Sequence, residues 1–146
     1  MPLSNKKLRA DLNDVFPNSQ KFLSDKDYLT PQKSWVSGDL YFKNFKKWLW
    51  SNNLDTWKEY WDCDNFAFAL YTFSQICHAR TMEKTKEIDR AQGLALGVIF
   101  YKMDGVGGHA INFVHTEDEI YGFEPQSGKY LNLSKKEKES CWLVVC

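Results

Sequence analysis

The sequence lacks an excess of charge of either sign, and this limits the partners it can have. Its 146 residues carry 19 lysines and arginines against 19 aspartates and glutamates, so the formal net charge is +0. A nucleic-acid groove or an anionic-membrane surface depends on a strong positive field. The composition therefore argues against nucleic acid and membranes as the main partners.

Long apolar runs are also missing. No stretch approaches the roughly 18 consecutive apolar residues that span a bilayer. The N-terminal MPLSNKKLRADLNDVF does not contain the apolar segment of a signal peptide. We therefore expect a soluble protein of the cytoplasm.

Cysteine is scarce for a chain of this length. The four cysteines, Cys63, Cys77, Cys141 and Cys146, are too few and too scattered for a disulfide framework, so we expect free thiols. No Cys-x-x-Cys pair is present, and Cys141 and Cys146 would lie on opposite faces of a strand. A structural zinc site is therefore not expected.

The apolar content and the order of the predicted helices and strands indicate one α+β domain over residues 1–146. Hydrophobic residues make up 43% of the chain and aromatic residues 16%, which is enough for a substantial core. We expect a helical lead-in over 1–61, a buried helix and its connection over 62–92, and an antiparallel sheet over 93–146. Helices followed by strands favour segregated halves over a parallel βαβ sheet.

Three helices are indicated by apolar residues that recur at helical spacing. The third should begin at Cys63 with Asp62 as its N-cap and run to about Ala79. It is apolar on nearly every side and is expected to be central and buried. The first two helices are marked by Leu8, Leu12, Val15 and Phe16, and then by Leu40, Phe45, Trp48 and Leu49.

Cys63 is a candidate nucleophile because a thiol gains most from the N-terminal end of a helix. Such a thiol needs a histidine partner. His78 would lie about 22 Å along the same helix, out of reach. His109 follows the glycine-rich segment 104–108, which allows close approach of the backbone. His115, about 20 Å further along the strand, is assigned to the surface.

The register of a predicted hairpin selects a partner for His109. If Glu117-Asp118 form a two-residue turn, Ile111 pairs with Glu124, and His109 pairs with Gln126. Glu124 then shares a face of the sheet with His109 and lies on a diagonal within its reach. A three-residue turn would change the parity and remove this alignment.

Three segments together resemble a known family. They are Asp-Cys-Asp-Asn-Phe-Ala at the start of a helix, then Gly-His-Ala-Ile-Asn-Phe-Val, then Tyr-Gly-Phe-Glu-Pro-Gln-Ser-Gly. Over roughly residues 58–130 the chain resembles papain-like Cys-His-Glu cysteine proteases, among them the protease domain of a mushroom agglutinin and its small microbial relatives.

The resemblance implies a papain-like fold with the Cys63 helix packed on the sheet. It also implies a thiol hydrolase that cleaves an amide, isopeptide or ester bond of a protein or peptide substrate. In this interpretation Cys63 is the nucleophile, His109 the base and Glu124 the group that orients the imidazole. The alternative is a binding or inhibitory protein on the same scaffold, with little or no turnover.

One departure from the family concerns the oxyanion hole. Papain-like enzymes commonly place a glutamine about six residues before the cysteine, and here that position is Trp57. Trp57 and Gln126 are therefore the candidates for oxyanion or cleft contacts. The cluster Trp48, Trp50, Trp57, Tyr60 and Trp61 is either the lining of a cleft or part of the core.

No cofactor or resident metal is predicted. Calcium is an alternative because the agglutinin-like relative depends on it, although no EF-hand spacing is present. The sequence leaves the oligomeric state open. The acidic residues that could bind calcium are Asp62, Asp64, Asp104 and Glu117 to Glu119.

Overall fold

The structure is a computed structural model that describes residues 2–85 and 91–146. Its helices and strands confirm the α+β class, whereas the expected papain-like arrangement is not confirmed. The elements in chain order are β1 (Leu3–Ser4), α1 (Asn5–Val15), β2 (Gln20–Phe22), β3 (Asp27–Leu29), α2 (Lys33–Ser37), α3 (Phe42–Ser51), α4 (Cys63–Thr85), β4 (Gly93–Leu94), β5 (Leu96–Met103), β6 (Gly107–His115), β7 (Ile120–Glu124), β8 (Lys129–Leu131), α5 (Lys135–Ser140) and β9 (Leu143–Val145).

The two predicted N-terminal helices are present as α1 and α3. Ser4 caps α1 by accepting a hydrogen bond from the backbone N–H of Lys7. Leu8 and Leu12 are fully buried on α1, as are Phe45 and Leu49 on α3. The helical spacing of apolar residues therefore identified the buried faces of both helices.

The lead-in over 1–61 is less helical than expected, because β1, β2 and β3 interrupt it. Strands of two or three residues are too short to show the alternation by which a strand is recognised. β2 pairs in parallel with β9 and extends the large sheet, whose order is β2-β9-β5-β6-β7-β8. β1, β3 and β4 form a separate three-stranded sheet.

The predicted C-terminal meander is confirmed from β5 to β8, where each strand pairs antiparallel with the next. β9 then returns to the other edge of β5. α5 also interrupts this half, and the capping box between Ser134 and Glu137 explains its start.

Helices cover both faces of the large sheet. On one face, α1 packs against alternate sheet residues, namely Ile99, Ile111 and Phe113. On the other face, α3 and α4 pack against Leu96, Val114 and Phe123. The amide of Asn112 holds α4 in place, because its side-chain nitrogen donates hydrogen bonds to the carbonyls of Ala67 and Gly97.

α4 differs from the expected helix in length and in burial. It continues to Thr85, and residues 86–90 of the predicted connection lie outside the described residues. His78 is buried, with its Nε2 3.0 Å from the carbonyl oxygen of Ala91. Phe68 and Ile76 are 38% and 46% exposed, so one side of the helix faces solvent. Within the described residues, no helix is long and apolar enough to cross a membrane.

Candidate functional site

Cys63 is the first residue of α4. The backbone N–H of the preceding Asp62 donates to the side-chain oxygen of Asn65 at 3.1 Å, which is the reciprocal half of a capping box. The Phe66 N–H donates to the Asp62 carbonyl. The local sequence thus fixes the helix start at the predicted position. All four cysteines are free, as expected.

Two carboxyl groups lie close to the Cys63 sulfur. Asp62, Cys63 and Asp64 each direct a side-chain atom to one place, where these atoms lie within 4.8 Å of one another. A hydrogen bond to the Asp62 carboxylate, together with burial and charge repulsion, raises the pKa of Asp64. The Asp64 carboxyl group therefore keeps its proton to a higher pH than an isolated aspartate does.

We expect Asp62→Asn to lower the pKa of Asp64 toward the ordinary aspartate value of 3.8, because the anionic neighbour is then gone. The measurement is a pH titration of the side-chain carboxyl ¹³C signals by NMR. Asp55→Asn, in the exposed loop before α4, is the control and should leave Asp64 unchanged. An Asp64 titration that is the same in Asp62→Asn and the wild type would contradict the effect of Asp62 on the pKa of Asp64.

His109 and Glu124 lie together, as the hairpin register predicted. His109 Nε2 is 3.0 Å from a Glu124 carboxylate oxygen, and both side chains are largely buried. β6 and β7 pair with Asn112 opposite Phe123, which places Ile111 opposite Glu124. The Thr116 N–H donates to the Glu119 carbonyl across Glu117 and Asp118, so the two-residue turn is confirmed.

The Cys63 thiol and the His109 imidazole each pack against a residue of β5. Cys63 packs against the cluster of Ala67, Val98 and Ala110. The His109 ring packs edge-on against Tyr101, with ring centroids 5.8 Å apart. No hydrogen bond joins Cys63 to His109 among the described residues. The roles of Cys63 as nucleophile and His109 as base stay predictions.

The two candidate oxyanion residues occupy different settings. Trp57 lies in the loop before α4 with 57% of its surface exposed. Gln126 makes its contacts through its backbone, where the N–H donates to Glu124 and the carbonyl accepts from Lys46. Neither arrangement forms a pair of converging donors.

The calcium candidates are only partly gathered. Asp62 and Asp64 converge, but Cys63 is the third group between them, and calcium takes six to eight oxygen ligands. Asp104 pairs with the Lys136 ammonium at 3.0 Å. Glu117 to Glu119 form the hairpin turn. Calcium binding stays a prediction.

His115 is buried, and its assignment to the surface is wrong. Only 6% of its surface is exposed. Its Nε2 lies 2.9 Å from an Asp11 carboxylate oxygen, and its Nδ1 faces the Thr116 carbonyl. α1 therefore covers this end of β6 and supplies the charge partner.

A cavity of about 560 Å³ lies between α3 and α4, and we call it the α3–α4 pocket. The cluster of tryptophans predicted either a cleft or a core, and two of them, Trp48 and Trp61, line this pocket. The sequence did not identify the other lining residues, because α4 is apolar on nearly every side and its pattern does not show which side stays uncovered. They are Asn65, Phe68, Ala69, Thr72, Phe73, Ile76 and Arg80.

The aromatic walls of the pocket are each supported by another ring. Trp48 stacks on the buried Phe45 with ring centroids 6.2 Å apart. Trp61 packs edge-on against Phe66 at 5.6 Å. Phe68 packs against Phe100 at 6.0 Å. These contacts fix the orientation of the exposed rings before any ligand arrives.

The indole N–H of Trp61 is buried and has no hydrogen-bond partner within the part of the chain that the structure describes. An unpaired buried donor costs about 1–3 kcal/mol. Trp61 lines the pocket, whereas its indole N–H is enclosed by the protein.

No protein-family model and no curated protein matches the sequence. Solved structures do match. One, described as the PSL1a-E64 complex, has a TM-score of 0.64 and 19% identity and covers 99% of this chain and 51% of its own. Another is the Polyporus squamosus lectin bound to the human-type influenza-binding epitope Neu5Aca2-6Galb1-4GlcNAc, with a TM-score of 0.65 and 22% identity, covering 99% of this chain and 49% of its own.

The comparison corrects the family prediction. The two structures described above are those of a lectin, and this finding contradicts the papain-like recognition, the thiol-hydrolase function and the assignment as an enzyme that the sequence predicted. The physical reason is that three short segments that resemble a family do not define a complete site, and function depends on the complete site. The likeness shows the fold, and the chain spans about half the length of the structures it matches.

Proposed function

We propose that this protein is a carbohydrate-binding protein and that a sugar ring binds in the α3–α4 pocket. The main observation behind this proposal is the pocket itself, in which aromatic rings held in place by other rings lie beside a few polar groups. Its volume of about 560 Å³ is within the range of roughly 300–1,000 Å³ that is typical of small-ligand sites. The binding alternative, rather than hydrolysis, is thus the function that the geometry supports.

A sugar ring matches both parts of this pocket. One face of a pyranose is covered by C–H groups, which pack on aromatic rings such as Trp48 and Phe68. Its edge carries hydroxyl groups, which pair with amide and guanidinium groups such as Asn65 and Arg80. The lectin whose fold this chain shares is described with a bound sugar epitope, which supports the ligand class.

Cys63, His109 and Glu124 have positioning roles in this proposal. Cys63 begins the helix that carries Asn65 and Phe68, and its sulfur packs against the sheet beneath that helix. The His109–Glu124 pair joins the start of β6 to the end of β7. None of the three needs to react with a ligand.

We expect Trp48→Ala to weaken sugar binding by about tenfold or more, because it removes an aromatic face fixed by Phe45. The measurement is a screen of the wild type on an immobilised glycan panel, followed by titration calorimetry with the best ligand. Trp50→Ala is the matched control, because Trp50 is on the same helix, is 73% exposed and does not line the pocket.

Two further variants separate binding from chemistry. Cys63→Ala should retain the affinity within about twofold, and Arg80→Ala should lose part of it. The absence of any bound glycan on the panel would overturn the proposal. Equal losses in Trp48→Ala and Trp50→Ala would move the site away from the pocket.

A further inference from the structure

A second cavity, of about 510 Å³, lies on another part of the surface and shares no lining residue with the α3–α4 pocket. It is bounded by the loop after β3, the start of α2 and the turn between β6 and β7. We call it the α2 cavity. Trp35 and Tyr121 contribute aromatic rings, and Glu117 and Asp118 contribute carboxylates. Aromatic rings and carboxylates are the two groups that attract an organic cation.

A lysine of the protein itself already places its ammonium on the Tyr121 ring and on the neighbouring Tyr130 ring. The Lys33 ammonium lies 3.9 Å from the centroid of the Tyr121 ring and 4.6 Å from that of the Tyr130 ring. The two rings meet edge-on with centroids 5.7 Å apart, so they form two walls around the ammonium. The Tyr130 hydroxyl donates to the Lys33 carbonyl at 2.8 Å, which holds the lysine backbone beside the rings.

The charge around the α2 cavity is negative. Glu117 and Asp118 line it, and Glu119 completes the same turn. Lys33 is the lysine among the lining residues, and its ammonium lies on the rings. The carboxylates of this turn would therefore attract a cation that replaced the Lys33 ammonium at the rings.

We propose that the α2 cavity binds an organic ammonium group, such as a methylated amine, and that Lys33 is its tethered internal competitor. The ligand ammonium takes the position of the Lys33 ammonium on Tyr121 and Tyr130. Glu117 and Asp118 line the same cavity from the turn. This inference goes beyond sugar binding and does not depend on it.

The test uses choline as the probe and 3,3-dimethyl-1-butanol as a neutral molecule of the same shape, at constant ionic strength. Binding is followed by NMR through the indole N–H of Trp35 and the backbone amide of Tyr121. We expect choline to shift both signals in a saturable way and the neutral molecule to bind at least about fivefold more weakly. Equal binding of the two molecules would overturn the proposal.

Variants of Lys33 test whether its ammonium competes with choline for the rings. Lys33→Ala should tighten choline binding by about two- to fivefold, because the rings are then free. Lys33→Arg keeps a cation on the rings and should show no such gain. Lys43→Ala makes the same change in net charge on α3, outside the cavity, and should leave the affinity unchanged. The proposal fails if Lys33→Ala does not tighten binding or if Lys43→Ala tightens it equally.

Discussion

Replacement of His115 by leucine is expected to lower the free energy of unfolding by about 2–3 kcal/mol. For a chain of this length, the melting temperature should fall by about 4–12 °C. The cause is the loss of a hydrogen-bond partner for the Asp11 carboxylate, which lies on α1 with 19% of its side chain exposed. Asp11 keeps its ion pair with Lys7, so the loss should be smaller than for a carboxylate with no other partner.

The geometry explains why histidine is needed at this position. His115 Nε2 lies 2.9 Å from the Asp11 carboxylate and Nδ1 faces the Thr116 carbonyl. Both ring nitrogens face acceptors, so both donate only when the ring is the imidazolium cation. Leucine fills the volume but donates to neither acceptor. Urea unfolding of the wild type, His115→Leu, Asp11→Asn and the double variant would measure the coupling of the pair.

The same pair makes stability depend on pH. Burial raises the pKa of Asp11, but hydrogen bonds from Lys7 and His115 outweigh it, and the net pKa is below the ordinary 3.8. A carboxyl group with a lowered folded pKa contributes stability above its unfolded pKa and loses it as the pH falls through the folded value. The difference in stability between wild type and Asp11→Asn should therefore be full at pH 7 and shrink below about pH 4. A difference independent of pH would contradict this account.

Local patterns predicted the parts of the fold that depend on neighbouring residues. The spacing of Leu8 and Leu12 identified the buried face of α1. The two-residue turn at Glu117-Asp118 gave the register that brings His109 and Glu124 together. Both rest on interactions within one helix or one hairpin, where the sequence contains the necessary information.

Contacts between distant segments could not be predicted in this way. His115 is buried because Asp11, 104 residues earlier, lies against it. β2 joins the large sheet by pairing with β9 across more than a hundred residues. The α3–α4 pocket exists because no described element covers Phe68 and Ile76. An apolar side chain on α4 does not indicate by itself whether another element will cover it.

The functional prediction failed for a different reason. The residues around Cys63, His109 and Glu124 resemble a protease motif, and the hairpin does bring two of them together. Function, however, depends on the complete site rather than on the fold or on part of a motif. Here side-chain oxygens of Asp62 and Asp64 lie within 4.8 Å of the sulfur, and aromatic rings line a pocket along the same helix.

Gly97→Ala is expected to destabilise the protein by at least about 3 kcal/mol, because the centre of the large sheet has no room for a methyl group. A Cβ at Gly97 would lie 2.1 Å from the Val145 carbonyl oxygen and 2.5 Å from a ring carbon of Phe113. β5 pairs with β9 beside this position, so the added methyl group would push the two strands apart. Thermal and urea unfolding measure the loss.

Gly108→Ala is the matched control, because its Cβ would meet only a ring carbon of Trp142 at 3.6 Å, an ordinary contact. We expect it to change the free energy of unfolding by less than about 1 kcal/mol. Phe113→Leu combined with Gly97→Ala separates the two clashes. The double variant should not recover stability, because the Val145 oxygen belongs to the backbone of β9 and cannot rotate away. Recovery, or a Gly97→Ala variant as stable as Gly108→Ala, would show that β9 can move away from β5 at little cost.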